Sequence, residues 1–207
     1  MKREVLRRMH APTPIKIADV TGVILAGGRG SRMGGEDKGL MMLNGLPLYQ
    51  HVLQRLQPQV ATLCISANRN TESYQQSGFP VIADTFPGYA GPLAGMLAAL
   101  RFINSSWALF ASCDTPFLPP DLAKRLWQQK GEANAVWVRN GERDHPTLAL
   151  VHRCVADPLA DFLHRGDRKL MLFLQQIAAK AVIFADDPQS FTNINTPDEL
   201  HSYGEEC

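Results

Sequence analysis

A glycine-rich, cationic stretch at residues 25–38 offers the clearest chemistry in this chain. It follows an apolar segment at 20–24 and contains five glycines, two arginines and a lysine. Glycines let the backbone approach a ligand closely and turn its N–H groups toward it, and the cationic side chains indicate an anionic ligand. The stretch therefore predicts a loop that binds a nucleoside triphosphate.

Two common phosphate-binding patterns do not account for this stretch. A P-loop ends in Gly-Lys-Ser or Gly-Lys-Thr, but Lys38 stands between Asp37 and Gly39. The dinucleotide fingerprint matches only as far as Gly30 and then meets Met33. What remains is similar to the pattern of nucleotidyltransferases that join an NTP to a phosphorylated acceptor.

Two carboxylates follow predicted strands and suggest how a metal and a nucleoside would be held. Asp114 follows the apolar strand predicted at 107–112. A buried carboxylate is costly unless it is paired or binds a metal, and Mg²⁺ takes one or two carboxylates together with substrate phosphates. We predict that Asp114 binds Mg²⁺, with an N-cap before Pro116 as the alternative. Asp84, which follows the strand predicted at 79–83, accepts from sugar hydroxyls or a base N–H, or else begins a turn.

Lys38 and Arg32 are the predicted phosphate ligands. Lys38 supplies a point charge and Arg32 a two-pronged donor, although a solvated lysine and an arginine at the rim are the alternatives. An attacking phosphate monoester needs no general base, because its second pKa lies near 6 and it is largely a dianion at neutral pH. We therefore expect Lys38, Arg32 and Asp114 to act through positioning and charge stabilisation.

Other polar residues lie in loops or near predicted strand ends. Asn68, Asn193 and Asn195 can each donate and accept, which suits the edge of a base or a pterin, but asparagines are also ordinary turn residues. His145 belongs to the polar run 143–147, placed just before a predicted strand. It either contacts an anionic acceptor or makes a structural hydrogen bond. Cys113 is interpreted as a small buried side chain.

Composition narrows the classes of function. The chain has 207 residues and a formal net charge of +1, which argues against nucleic acid and membrane surfaces as partners. Its four cysteines are widely spaced, which argues against a zinc or redox motif and favours the cytoplasm. Residues 1–18 are predicted to be a flexible leader without the apolar region of a signal peptide, and 19–207 a single domain.

Alternating strand-like and helix-like segments predict the fold class. Strands are expected at 20–25, 40–43, 61–66, 79–83, 107–112, 135–138, 147–151 and 181–185. Helices are expected to begin near Pro47, Gly91, Pro119, Asp157, Arg168 and Thr196. This order predicts a three-layer α/β domain with a mainly parallel sheet and ligands at the carboxyl ends of its strands.

Longer motifs make the chain resemble the molybdenum cofactor guanylyltransferase (MobA) family. The matching runs are Leu-Ala-Gly-Gly at 25–28, Arg-Met-Gly-Gly at 32–35, Asp-Lys-Gly-Leu at 37–40, Ser-Ala-Asn-Arg at 66–69, Gly-Pro-Leu-Ala-Gly-Met at 91–96, Cys-Asp-Thr-Pro at 113–116, Asp-His-Pro-Thr at 144–147 and Asn-x-Asn-Thr-Pro at 193–197. The resemblance implies a Rossmann-like nucleotidyltransferase fold with a mixed sheet. It also implies transfer of GMP from GTP to molybdenum-bound molybdopterin, with Mg²⁺ as cofactor and pyrophosphate as by-product.

The resemblance further implies which residues hold the substrates. GTP would contact Leu25, Ala26, Gly27, Gly28, Lys38, Ser66, Asn68, Asp84 and Asp114. Asn193 and Asn195 resemble positions on the pterin side, where His145 is also a candidate. Ser66 replaces a family asparagine and is shorter, without the amide donor. Apo-molybdoenzymes, their chaperones and other cofactor-biosynthesis proteins are the expected protein partners.

Three rival functions are considered. A CTP-dependent cytidylyltransferase would read Leu-Ala-Ala-Gly at 25–28, whereas Gly27 removes a methyl group where the larger guanine must approach. A sugar-1-phosphate nucleotidylyltransferase would use a hexose phosphate as acceptor. A GTP-responsive binding module that delivers cofactor would need no metal at the α-phosphate, so Arg32, Lys38 and Asp114 argue against it.

Overall fold

A computed structural model of the chain describes residues 16–27, 37–88, 91–141, 143–185 and 188–204. Gly28 and Arg32, both predicted site residues, lie outside the described residues, as does most of the predicted leader. The first strand begins at Ile17. The division into a leader and a single domain therefore stays a prediction.

Within the described residues, strands build one large sheet and one small hairpin. The sheet strands are β1 (Ile17–Leu25), β4 (Val60–Ser66), β5 (Val81–Ile82), β6 (Trp107–Ser112), β7 (Ala135–Asn140), β8 (Arg143–His152) and β9 (Lys180–Phe184). The hairpin strands are β2 (Met42–Leu43) and β3 (Leu46–Pro47). The sheet order is β5-β4-β1-β6-β8-β7-β9. The hairpin turns at Asn44 and Gly45, whose φ angles of 49° and 79° suit a tight turn, as the sequence predicted.

Helices cover both faces of the sheet. They are α1 (Leu48–Leu56), α2 (Thr71–Gln75), α3 (Pro92–Phe102), α4 (Leu122–Gln129), α5 (Ala156–His164), α6 (Leu170–Gln176) and α7 (Pro197–Gly204). Apolar side chains of α1 and α4 pack into one core, and those of α3, α5 and α6 pack into a second. The predicted three-layer α/β fold is therefore confirmed. No helix in these described ranges is long and apolar enough to cross a membrane.

One reversed strand makes the sheet mixed. β8 pairs antiparallel with both β6 and β7, whereas β1 is parallel to β4 and β6, β4 to β5, and β7 to β9. In a sheet of this kind, the start of the reversed strand lies at the edge where the parallel strands end. The polar run 143–147 therefore reaches that edge.

The prediction that 143–147 precedes a strand is wrong, since the run lies inside β8. The register with β7 shifts between the pairs Trp137↔Ala149 and Val138↔His145, so that Pro146 falls in an irregular part of the ladder. A proline, which has no N–H to donate, is tolerated at such a bulge. Because of Pro146, the strand was predicted to begin at residue 147, whereas β8 begins at Arg143.

Other boundaries also differ from the predictions. The strand expected at 40–43 is reduced to β2, which follows a 3₁₀ turn at Lys38–Leu40. The strand expected at 79–83 is reduced to β5, which pairs with β4 at only two positions. The helix expected to begin near Pro119 begins at Leu122. The predicted capping box before α7 is confirmed: the Glu199 N–H donates to Thr196 Oγ1 and the Thr196 N–H to Glu199 Oε2, both at 3.2 Å.

Candidate active site

Four residues predicted from separate parts of the sequence meet in one group, the Lys38 cluster. Lys38 Nζ lies 3.3 Å from Asp114 Oδ2 and donates to Asn195 Oδ1 at 2.7 Å. Asn193 Nδ2 donates to Asp114 Oδ1 at 3.2 Å. Both carboxylate oxygens of Asp114 therefore face side-chain donors from distant parts of the chain.

The Lys38 cluster is positioned by a small core of its own. Lys38 begins a short 3₁₀ turn that leads into the β2–β3 hairpin. Buried side chains from the hairpin, α1 and the C-terminal segment pack together there: Leu43, Leu48, Ile194 and Leu200. The Ile194 N–H also donates to the Asp114 carbonyl at 2.9 Å. The C-terminal segment is thus fixed against the end of β6.

A second group of predicted residues lines a pocket beside β1, the Asp84 pocket. Its lining consists of Leu25, Gly27, Ser66, Asn68, Asp84, Gly91, Pro92 and Gly95. Asn68 Nδ2 donates to Asp84 Oδ2, and the Asp84 N–H donates to Asn68 Oδ1, both at 2.8 Å. Burial raises the pKa of Asp84, and the hydrogen bond from Asn68 partly opposes that rise.

The backbone after β1 lies between the two groups. The Ala26 N–H donates to the Ser66 carbonyl at 2.8 Å, on the side of the Asp84 pocket. The Cys113 N–H donates to the Leu25 carbonyl at 3.1 Å, next to Asp114. The pocket and the Lys38 cluster are therefore neighbours at the carboxyl edge of the sheet, where the sequence analysis expected a ligand.

Cys113 has the environment of a packing residue rather than of a nucleophile. The side chain is buried in the core on the α1 and α4 side of the sheet. Burial raises the pKa of its thiol, and the neighbouring Asp114 carboxylate adds to the rise. A neutral thiol is a poor nucleophile, so the interpretation of Cys113 as a small buried side chain holds.

His145 and Asp144 occupy the same edge through β8. The His145 ring is buried, and its centroid lies 5.6 Å from that of the Phe191 ring. Phe191 stands two positions before Asn193, so His145 lies near the segment that carries Asn193. Burial lowers its pKa, which favours the neutral imidazole. Asp144 accepts from Arg139 Nε at 2.7 Å, Arg139 Nη2 at 3.0 Å and Trp137 Nε1 at 2.7 Å. Asp144 therefore ties the β7–β8 hairpin together.

Gly95 is a residue of the pocket that sequence reasoning did not select. A Cβ at this position of α3 would lie 2.6 Å from Ser66 Oγ and 3.4 Å from Asp84 Oδ1. A glycine inside a helix costs about 1 kcal/mol relative to alanine, so its presence there was a usable signal of close packing. Gly95 lets α3 approach the wall of the pocket.

The two groups together suit a ligand that combines metal-bound phosphates with a polar ring. Lys38 supplies positive charge, and Asp84 with Asn68 supplies acceptors and an amide. Among the residues that the structure describes, no three His, Cys, Asp or Glu side chains converge on a metal cage. Mg²⁺ does not require one, because substrate phosphates commonly complete its coordination. Asp114, already facing an ammonium group, fits this type of site.

Comparisons with known proteins agree with this geometry. Residues 22–181 match the family described as MobA-like NTP transferase domain. A molybdenum cofactor guanylyltransferase of Serratia proteamaculans (strain 568) is 50% identical over 188 residues, which cover 91% of this chain and 95% of that protein. One of Yersinia pestis (strain Pestoides F) is 55% identical over 179 residues, with 86% and 92% covered.

Solved structures show the same fold. Molybdopterin-guanine dinucleotide biosynthesis protein A from Archaeoglobus fulgidus superposes with a TM-score of 0.75 at 28% identity, covering 90% of this chain and 98% of that one. A CMP:2-keto-3-deoxy-manno-octonic acid synthetase shares the fold at 14% identity, with a TM-score of 0.70 and coverage of 92% and 98%. By its domain match and its identity to these relatives over most of its length, the chain belongs to the molybdenum cofactor guanylyltransferase family of MobA-like nucleotidyltransferases.

Proposed function

We propose that this enzyme transfers GMP from GTP to the terminal phosphate of molybdenum-bound molybdopterin, giving molybdopterin guanine dinucleotide and pyrophosphate. The observation that carries the proposal is the contact of 3.3 Å between Lys38 Nζ and Asp114 Oδ2. This contact lies beside the Asp84 pocket, at the edge where α/β folds bind ligands. A cation and a lone carboxylate next to a polar pocket suit a nucleoside triphosphate with its metal.

The Asp84 pocket supports guanine as the base. Guanine presents N1–H and N2–H donors, which match the acceptor oxygens of Asp84, and the Asn68 amide can serve either kind of group. A Cβ on Gly27 would meet Asn68 Nδ2 at 3.5 Å, an ordinary contact distance. The protein itself would therefore accept alanine there, so the glycine leaves room for the ligand. We infer that GTP is preferred to CTP.

The transfer requires no general base. An oxygen of the molybdopterin phosphate, largely a dianion at neutral pH, forms a bond to the α-phosphorus. The bond from the α-phosphorus to the bridging oxygen breaks, and pyrophosphate leaves with that electron pair. Lys38 stabilises the charge on the phosphates, and Asn195 orients its ammonium group. Asn193 holds the Asp114 carboxylate in place.

Asp114 would hold Mg²⁺ together with the triphosphate oxygens. When bound, the ion supplies positive charge to the phosphates of the nucleotide. The donor set fits, because a hard carboxylate oxygen and substrate phosphates are the ligands that Mg²⁺ prefers. Arg32 and Gly28 lie outside the described residues, so Arg32 remains a proposed phosphate ligand and Gly28 a proposed GTP-binding residue on sequence grounds.

The direct test is an acceptor and nucleotide panel. The purified enzyme is incubated with Mg²⁺, each NTP in turn, and either molybdopterin or a hexose 1-phosphate, and pyrophosphate release is followed. We expect release with GTP and molybdopterin. Equal turnover of CTP would contradict the base assignment, and release with the hexose phosphate would favour the sugar nucleotidylyltransferase. GTP binding without any release would favour a binding module.

Protein partners and location follow from this role as proposals. The dinucleotide product must reach apo-molybdoenzymes, so these enzymes, their chaperones and other cofactor-biosynthesis proteins are proposed partners. A cytoplasmic location is proposed because four widely spaced cysteines suit a reducing compartment.

A further inference from the structure

Asp37, the residue before Lys38, is held from several sides by the protein itself. Its side chain is only 5% exposed. Oδ1 accepts from Tyr74 Oη at 2.6 Å and from the Gly39 N–H at 3.2 Å, and Oδ2 accepts from Asn70 Nδ2 at 3.0 Å. Arg69 Nε lies 3.8 Å from Oδ2. Both carboxylate oxygens of Asp37 therefore accept hydrogen bonds from within the protein.

Tyr74 makes this anchor rigid. The side chain is fully buried, and its ring packs edge-on against Tyr49 with centroids 4.9 Å apart. A Cβ on Gly39 would collide with the Tyr74 hydroxyl, so the backbone after Lys38 passes directly over it. The residues before and after Lys38 thus both lie against the hydroxyl of one buried tyrosine.

The fixed backbone matters because the lysine side chain is flexible. A lysine has a long stem with many rotamers, and catalysis by charge depends on where its ammonium group is held. The base of the Lys38 side chain is fixed by Asp37 and Gly39, while its tip meets Asp114 and Asn195. Loosening the base would let the ammonium group sample unproductive positions.

The same turn that anchors Asp37 also borders the Asp84 pocket. Asn68 bonds to Asp84, whereas the next two residues, Arg69 and Asn70, contact Asp37. Asn70 adopts a left-handed backbone with φ of 50°, which turns the chain there. Three consecutive residues therefore link the base side of the site to the residue before the phosphate lysine.

We propose that Asp37 is a positioning residue for nucleotidyl transfer, which acts through Lys38 and depends on the Tyr74 hydroxyl. This inference rests on the proposed function, because it takes Lys38 as the phosphate ligand. Asp37 itself touches neither substrate.

A matched pair of tyrosine variants tests the inference. Tyr74→Phe removes one donor to Asp37 and keeps the ring. Tyr49→Phe removes the hydroxyl of the neighbouring buried ring, which accepts from Gln50 Nε2 rather than contacting Asp37. We expect Tyr74→Phe to lower kcat about tenfold, close to the lower end of the effect of losing a hydrogen bond to a charged group. GTP binding should weaken by only about threefold, because Lys38 is still present and is held less firmly. Tyr49→Phe should stay within about twofold of the wild type, because its hydroxyl bonds to the neutral amide of Gln50.

A double-mutant cycle separates positioning from general destabilisation. Tyr74→Phe is combined with Lys38→Ala, and GTP binding is measured by calorimetry, so that the cycle is readable even where turnover is slow. If Asp37 acts through Lys38, the about threefold effect of Tyr74→Phe on binding disappears in the Lys38→Ala background. An equal effect in both backgrounds would overturn the inference.

A second variant covers the case in which Tyr74→Phe does not fold. Asn70→Gly removes the donor to Oδ2, and glycine adopts the left-handed backbone without strain. Its effect on GTP binding should likewise disappear in the Lys38→Ala background, and an equal effect in both backgrounds counts against the inference. Wild-type enzyme that releases no pyrophosphate from GTP and molybdopterin would refute the proposed function instead. Active wild type with unaffected Tyr74→Phe and Asn70→Gly variants would refute the positioning role alone.

Discussion

Asn68 and Asp84 hold each other through two reciprocal hydrogen bonds of 2.8 Å, one to the Asp84 carboxylate and one from its backbone N–H. The pair fixes the wall of the Asp84 pocket even though β5, the strand before Asp84, is only two residues long. Here the hydrogen bonds of two side chains hold the chain in place, a role that the backbone hydrogen bonds of a longer strand would otherwise have. The orientation of the Asp84 carboxylate thus depends on one asparagine.

Asp84 is expected to make GTP binding sensitive to acid. Since burial raises the pKa of Asp84, the loss of affinity on acidification should begin at a higher pH than for an ordinary aspartate. Asp84→Asn should weaken GTP binding about tenfold at neutral pH and flatten this acid limb. Calorimetric titration of the wild type and of Asp84→Asn with GTP, at a series of pH values, measures this pH dependence. An unchanged acid limb in the variant would show that another group titrates.

The raised pKa of Asp84 also affects the stability of the fold. Acidification should weaken GTP binding, but it should favour the folded state at this residue. A carboxyl whose pKa is raised on folding binds its proton more readily in the folded chain. Its contribution to the free energy of unfolding therefore falls as the pH rises from the ordinary value through the raised one. Chemical unfolding of the wild type and Asp84→Asn across that range should show the variant losing less stability.

Asp114→Ala is expected to abolish transfer while binding survives. The carboxylate is the proposed Mg²⁺ ligand, so kcat should fall by about a thousandfold or more, whereas GTP affinity should fall by about tenfold or less. Mg²⁺ should tighten GTP binding to the wild type but not to the variant. Pyrophosphate release and calorimetry with and without Mg²⁺ are the measurements. Retained turnover would refute the assignment of the metal ligand.

Gly27→Ala is expected to change base preference without changing stability. The protein leaves room for its methyl group, 3.5 Å from Asn68 Nδ2. We expect kcat/KM for GTP to fall about tenfold relative to that for CTP, because one buried methyl group discriminates ligands by roughly this amount. Gly95→Ala is the contrast, since its Cβ would lie 2.6 Å from Ser66 Oγ and should lower turnover with both nucleotides. An unchanged GTP to CTP ratio in Gly27→Ala would contradict the base assignment.

Asp144→Asn is expected to weaken the hairpin and to leave the chemistry alone. The hydrogen bonds from Arg139 lower the pKa of Asp144, so the stabilisation is present above the ordinary aspartate pKa and is lost as the pH falls through the lowered value. The variant should therefore melt a few degrees lower at neutral pH and converge with the wild type in acid. Thermal unfolding at several pH values tests this. A loss of transfer beyond about twofold would show that Asp144 contacts a substrate.

The sequence was a good guide to what lies at the ends of parallel strands. Asp114 and Asp84 each follow an apolar run, and such residues must gather at one edge of a parallel sheet. Lys38 and Asp114 were expected to act on the phosphates and the metal of one ligand, and therefore to share a cleft. The structure places these two side chains 3.3 Å apart.

Features that depend on tertiary contacts could not be predicted in this way. Pro146 concealed the true start of β8, because the bulge that tolerates it is created by the register with β7. Asp37 was read only as part of a motif, since its partners lie more than thirty residues further along the chain, at Asn70 and Tyr74. No local pattern identifies such a partner.

The reversed direction of β8 has a further consequence. A parallel strand is joined to the next by a long crossover, but β7 ends at Asn140 and β8 begins at Arg143, and short connections of this kind tolerate insertions. A change in the length of this loop would therefore remodel the corner beside His145, on the proposed acceptor side, and leave in place the parallel strands that carry the proposed nucleotide site.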